Sequence, residues 1–111
     1  MTELAWGSNQ ILDYLYRNPK KIVALDTETD GLEVFDKSSK AIGLSISFRA
    51  GEELVSTYWG ARHKVGQNID KLTARKIRHV LEVQRRPIVY ANAQFDMAAM
   101  LTLGVDLRPN P

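Results

Sequence analysis

The segment Ile22-Val-Ala-Leu-Asp-Thr-Glu-Thr-Asp-Gly-Leu32 ends an apolar strand pattern in two carboxylates, and it limits the possible folds more tightly than composition does. In a β-strand, residues two apart share a face, so Asp26 and Glu28 project together while Thr27 points away. Two acids side by side repel, an arrangement tolerated chiefly where a cation sits between them. Val23, Ala24 and Leu25 have the make-up of a buried central strand, and Thr29-Asp-Gly-Leu32 turns the chain just after the acids. The expected strand, Lys21 to Asp26, therefore presents them at an exposed end.

Around this strand the other elements follow from periodicity. Ser8 is expected to cap a short helix carrying Ile11, Leu12 and Leu15 on one face, which stops at Asn18-Pro19 because the residue before a proline avoids helical angles. Ile42, Leu44, Ile46 and Phe48 alternate with Gly43, Ser45 and Ser47, the pattern of a half-buried strand over Ala41 to Arg49. Ala50-Gly51-Glu52-Glu53 reads as a hairpin loop into a third strand, Leu54 to Trp59, antiparallel to the second. From Ile69 or Thr73 to Gln84 the period turns helical, with Ile77, Val80 and Leu81 on one stripe and Lys71, Arg75, Lys76 and Arg78 mostly on the other. Arg85-Arg86-Pro87 ends that helix, Ile88 to Ala91 makes a short strand, and an alanine- and methionine-rich helix runs to Gly104.

Composition narrows the chemistry. The 111 residues suit one domain with a single core, and a net charge of +2 neither demands nor forbids nucleic acid. With no cysteine in the chain, thiolate ligands and disulfides are excluded, and a metal would be held by oxygen or imidazole. Oxygen donors favour magnesium or manganese. No apolar run approaches a membrane span, and the N-terminus lacks the basic start and apolar stretch of a secretory leader. No membrane role and a cytoplasmic location are the expectations.

A second chemical motif, Tyr90-Ala-Asn92-Ala-Gln-Phe95-Asp96, lies where a strand end hands over to a helix start, and the helix dipole favours a carboxylate in that first turn. Asp26-Thr-Glu28 followed by Asn92-x-x-Phe95-Asp96 resembles the first two motifs of the DEDD family of 3′-5′ exonucleases. The resemblance is greatest to the proofreading domain of family A, polymerase I type, DNA polymerases, and it runs from about Ile22 to Arg108. It implies an α/β, ribonuclease H-like fold: a mixed sheet of three antiparallel strands plus a parallel one, with flanking helices. Residues 1–20 are then a helical lead-in and 21–108 a partial exonuclease domain.

The resemblance also implies chemistry. Two magnesium or manganese ions would serve hydrolysis of the 3′-terminal phosphodiester of single-stranded DNA. Asp26 would bridge both ions, Glu28 would bind the nucleophile-side ion, and Asp96 would hold the second. Leu32 resembles the family's apolar wedge against the terminal base, and Asn92 its polar support. The backbone around Thr27 and Thr29 would meet the last nucleotide, and Phe95 would anchor its helix in the core. The family's third motif, a Tyr or His four or five residues before a final Asp, has no counterpart after Asp96. Asp106, the one later acid, lacks such a partner and is not assigned. The chain is thus expected to be a C-terminally incomplete, N-terminal part of such a domain, weak or inert alone, with the rest of a polymerase as partner. Alternatives are a stand-alone DEDD exonuclease on RNA or DNA, or a non-catalytic module that binds DNA ends or a partner protein.

Other residues have plainer readings beside the functional ones. Leu32 also suits a core position at its turn. His63 and His79 are isolated and read as solvated, as does the basic set Arg75, Lys76, Arg78, Arg85 and Arg86, with phosphate contact as its alternative. Trp6 and Trp59 read as packing residues, and Met97, Met100 and Leu101 as core or as a contact with further parts of a parent protein. An incomplete sheet exposes an edge and an apolar face, so self-association or limited solubility is expected.

Overall fold

A computed structural model describes residues 6–30, 40–61 and 68–109. Leu32 and His63 lie outside the described residues. The first helix, α1 (Ser8–Arg17), buries Ile11, Leu12 and Leu15. Its N-cap is Gly7 rather than Ser8. The Ser8 hydroxyl instead accepts from the indole Nε1 of Trp59 at 2.8 Å, because that buried ring needs a partner for its N–H. The helix closes at Asn18, whose side chain donates to the Tyr14 carbonyl at 2.8 Å.

Four strands follow the order β3-β2-β1-β4: β1 (Val23–Thr29), β2 (Ala41–Ala50), β3 (Glu53–Gly60) and β4 (Ile88–Tyr90). The first three are antiparallel neighbours, and β4 lies parallel to β1. This is the mixed α/β sheet expected from the resemblance. Leu44, Ile46 and Phe48 are buried as their alternation requires. β1, however, extends beyond Asp26 through Thr29, paired with β2 along that stretch, whereas its pairing with β4 stops at Leu25 opposite Tyr90. The acids therefore lie within a strand that has outrun its parallel neighbour, not at a strand end.

Alternation gives the sheet two unlike faces. Val23, Leu25, Leu44, Ile46, Phe48, Val55 and Trp59 look toward the helices and form the core with Ile11, Leu15, Ile77, Leu81 and Met100. Ala24, Asp26, Glu28, Leu54, Ser56, Tyr58 and Val89 occupy the opposite, exposed face, which no helix covers among the described residues. Trp6 packs edge-on against Tyr14 and Phe48 beside the core, the packing role expected of it.

Asp70 caps α2 (Lys71–Arg78) by accepting from the Thr73 N–H at 2.7 Å. The helical pattern through Gln84 is not one regular helix: His79–Val83 widens to a π turn, closed by Gln84 N–H to the His79 carbonyl at 3.0 Å. Arg85, at φ 53°, ends it. Arg86 then turns inward and is 5% exposed, neither solvated nor free for phosphate. Its guanidinium donates to the carbonyls of Val80 (2.6 Å), Leu15 (2.8 Å), Asn18 (3.1 Å) and Lys21 (3.3 Å) and to Gln84 Oε1 (2.7 Å). Of these, the Leu15 and Asn18 carbonyls also accept backbone N–H groups, from Asn18 at 3.1 Å and from Lys21 at 3.0 Å, so the guanidinium is a second donor at the end of α1. Burial lowers its pKa from the ordinary arginine value, yet a guanidinium stays charged in proteins.

The last helix, α3 (Ala93–Thr102), is capped by Asn92, whose side chain accepts from the Phe95 N–H at 3.3 Å. It stops at Gly104, φ 82°, with Val105 N–H on the Met100 carbonyl and Gly104 N–H on the Leu101 carbonyl, both at 3.0 Å. That is a Schellman ending, and its apolar residue, Val105, is buried. Met100 lies in the core, and Phe95 packs against Ala41 and Ala99 beside it.

Candidate functional site

Beyond the end of β4, β1 carries Asp26, Thr27 and Glu28 with their side chains alternating across the sheet. Asp26 is exposed and its Oδ1 accepts the following backbone N–H, that of Thr27, at 2.9 Å. In the same cross-strand row stand Ser45 and Tyr58. Glu28 is one row on, opposite Gly43, and its Oε2 accepts from the Tyr58 hydroxyl at 2.8 Å. Tyr58 thus reaches diagonally across β2 to join the two rows. Its pKa is pushed up to about 12, first by desolvation and then by the hydrogen bond and charge of Glu28, so the phenol remains a donor at neutral pH.

Asp96 is placed differently. It is 1% exposed, and its Oδ1 accepts from the Thr27 hydroxyl at 2.6 Å while its Oδ2 accepts the Asn92 N–H at 3.0 Å. Asn92 in turn caps the helix that carries Asp96, a reciprocal arrangement akin to a capping box displaced by one residue. Thr27 faces the helices, so its hydroxyl draws Asp96 to the side of the sheet opposite Asp26 and Glu28. Among the described residues no three His, Asp or Glu side chains gather closely enough to hold a metal ion. Of the expected acids, Asp26 and Glu28 come together and Asp96 stands across the strand from them. Tyr90, next to Asp96 on the helix side, has its pKa raised first by burial and then by that carboxylate.

Thr29 is half-buried, just past a register shift in the β1–β2 pairing. Asp30 then accepts the Lys40 N–H at 2.7 Å and returns its own N–H to the Lys40 carbonyl at 3.1 Å. Asp106 lies apart from these residues in its bonding. Its carboxylate is held by Arg108, which lowers its pKa to about 2, and its N–H donates to Glu82.

The open face is electrically graded. At one end a groove of about 910 Å³ has an apolar floor of Ile22, Ala24, Leu54 and Val89 and a rim including Arg17, Lys20, Lys21 and Arg49. Ala24, Ser47 and Val89 also line a smaller hollow that reaches Asp26. Cations flank one end of the face and carboxylates the other. Sequence reasoning missed Tyr58 and Gly43; the local hint was a glycine inside an otherwise regular strand pattern, which marks a close approach. His79 is partly buried and stacks at a tilt on Tyr16, 5.4 Å between centroids, on α1 and not near the acids.

A sequence model described as a 3′-5′ exonuclease matches residues 8–110. A comparison with curated proteins finds no match.

Proposed function

The chain belongs to the 3′-5′ exonuclease family of A-type DNA polymerases, and on that premise we propose that it is the proofreading portion of such a polymerase, acting on the 3′ end of single-stranded DNA. The observation that carries the reading is the pair Asp26 and Glu28, side by side on the open face, with Glu28 held by Tyr58. Two exposed carboxylates in a chain without thiolates suit a hard divalent cation, magnesium or manganese. Such ions, when bound, polarise the scissile phosphodiester and activate water.

The protein's own residues set where this happens. Asp26 and Glu28 supply ligand oxygens. Asp96, the acid expected to hold a second ion, has two of its roughly four lone-pair positions engaged by Thr27 and Asn92 on the helix side of the strand, and as placed it does not join Asp26 and Glu28 around one centre. By the family resemblance the backbone around Thr27 and Thr29 would meet the terminal nucleotide, with Asn92 as polar support and Leu32 as the apolar contact to its base. The cationic rim of Arg17, Lys20, Lys21 and Arg49 favours approach of a polyanion along the same face.

Placement of Asp96 on the helix side favours a second reading, a non-catalytic module that binds 3′ ends. A 5′-labelled single-stranded oligonucleotide incubated with manganese separates the two. A slow ladder shortening from the 3′ end in wild type but not in Asp26→Asn is the expected result, and an equal ladder in Asp26→Asn contradicts the assignment. Retained affinity for the 3′ end with no shortening at any manganese concentration supports the binding module.

A further inference from the structure

We infer that Tyr58 is a positioning residue for Glu28, holding its carboxylate on the open face beside Asp26 as a ligand for a divalent cation. This rests on the metal-binding role given to Glu28 above. The two residues are 30 positions apart and on strands that do not touch, since β2 lies between β1 and β3. In register, Tyr58 stands opposite Ser45 and Glu28 opposite Gly43, so their 2.8 Å hydrogen bond must cross β2 on the diagonal.

Gly43 is what lets it cross. A Cβ built there would overlap the Tyr58 hydroxyl and Cζ and lie 2.8 Å from Cε2. The need is for space: the ring lies on the bare backbone where a side chain would otherwise stand, and Gly43 is buried beneath it. The neighbouring positions on this face of β2, Ser45 and Ser47, are small as well. An aromatic residue that is 47% exposed gains little from burial on such a surface.

The contact suits a ligand. A glutamate on an open sheet face samples many rotamers, and a phenol donating to Oε2 restricts them, while Oε1 takes no hydrogen bond among the described residues. It donates without adding charge, so it does not compete with a cation as an arginine would. Outer-shell donors to ligand carboxylates commonly change metal affinity by about 10–100-fold.

The test is a calorimetric titration of manganese into wild type, Glu28→Gln, Tyr58→Phe and Gly43→Ala, each first shown to be folded by circular dichroism and thermal melting. Tyr58→Phe keeps the ring and removes only the hydroxyl. The expected result is about tenfold weaker binding at an unchanged melting temperature, at the low end of the outer-shell range. Gly43→Ala, which displaces the ring but keeps the hydroxyl, should weaken binding similarly, and combining it with Tyr58→Phe should add little because both act on one contact. If Gly43→Ala does not fold, Tyr58→Phe decides alone. Wild-type affinity in Tyr58→Phe where Glu28→Gln has lost it overturns the positioning role and leaves the metal reading standing. Equal binding by wild type and Glu28→Gln, or no binding by wild type, removes Glu28 from a metal site and overturns both.

Discussion

The Thr27 hydroxyl donates to the Asp96 carboxylate across 2.6 Å, tying the strand that carries Asp26 and Glu28 to the helix that carries the third acid. Asp96 also receives the Asn92 N–H, so this buried carboxylate holds two structural hydrogen bonds before any chemistry is asked of it.

Asp96→Ala should therefore destabilise the fold, by about 1–3 kcal/mol, since it leaves a half-buried hydroxyl and a backbone N–H without their acceptor. Thr27→Val, which keeps the shape and removes only the hydroxyl, should cost less. Urea unfolding of the two variants checks this. Wild-type stability for Asp96→Ala would contradict it, and a loss of nuclease activity in that variant is interpretable only once folding has been measured.

Arg86 carries a larger share of stability. Arg86→Ala removes the charged donor shared by the carbonyls of Val80, Leu15, Asn18 and Lys21, and a loss of about 3 kcal/mol is expected from hydrogen bonds that involve a charged donor. Arg86→Lys should recover little, because an ammonium lacks the planar fork that reaches several carbonyls at once. A melting temperature for Arg86→Lys close to that of wild type would contradict this.

The Asp70 cap makes part of the stability depend on pH. Hydrogen bonds from Thr73 hold the Asp70 carboxyl below its usual pKa of 3.8, so the folded state favours the ionised form. The contribution is complete above that value and is lost as pH falls through the lowered pKa. Asp70→Asn keeps an acceptor at the cap and removes the titration. In acid denaturation followed by circular dichroism, the variant should lose less stability than wild type between pH 4 and pH 2, roughly the interval below the free carboxylate pKa. Parallel curves over that interval would contradict it.

Leu54 and Val89 stand 64% and 60% exposed on the open face. Leu54→Lys and Val89→Lys should change folding stability by less than about 0.5 kcal/mol, as surface substitutions do. If the face self-associates, both should also lower the sedimentation coefficient at high concentration. Melting temperatures several degrees lower would mean that the face is covered.

The legible parts of the fold are those governed by neighbours in sequence. Alternation in β2 placed Leu44, Ile46 and Phe48 correctly, and Gly104 marked the end of α3, because pleat period and left-handed backbone are local properties. Asp26 and Glu28 share a face for the same reason. What was not legible depends on how elements meet. The side of the sheet on which Asp96 falls is set by the docking of α3 on β1, and no residue near Asp96 encodes it. The Tyr58–Glu28 bond needs the register of three strands. Arg86 reads as one member of a basic surface run, yet its bond to Leu15 spans 71 positions and requires the packing of α1 on the π turn. Ser8 has the chemistry of a helix cap, and the buried Trp59 indole takes it for another purpose.

The most direct test of the cation pair is paramagnetic broadening of backbone amide signals on adding manganese to the isotopically labelled protein. Loss of signal centred on Asp26 to Glu28 and on the cross-strand residues Gly43 to Ser45, abolished in Asp26→Asn, is the expected result. Broadening that survives in Asp26→Asn, or that centres on Asp70, Glu82 or Asp106 instead, would contradict the assignment of the site.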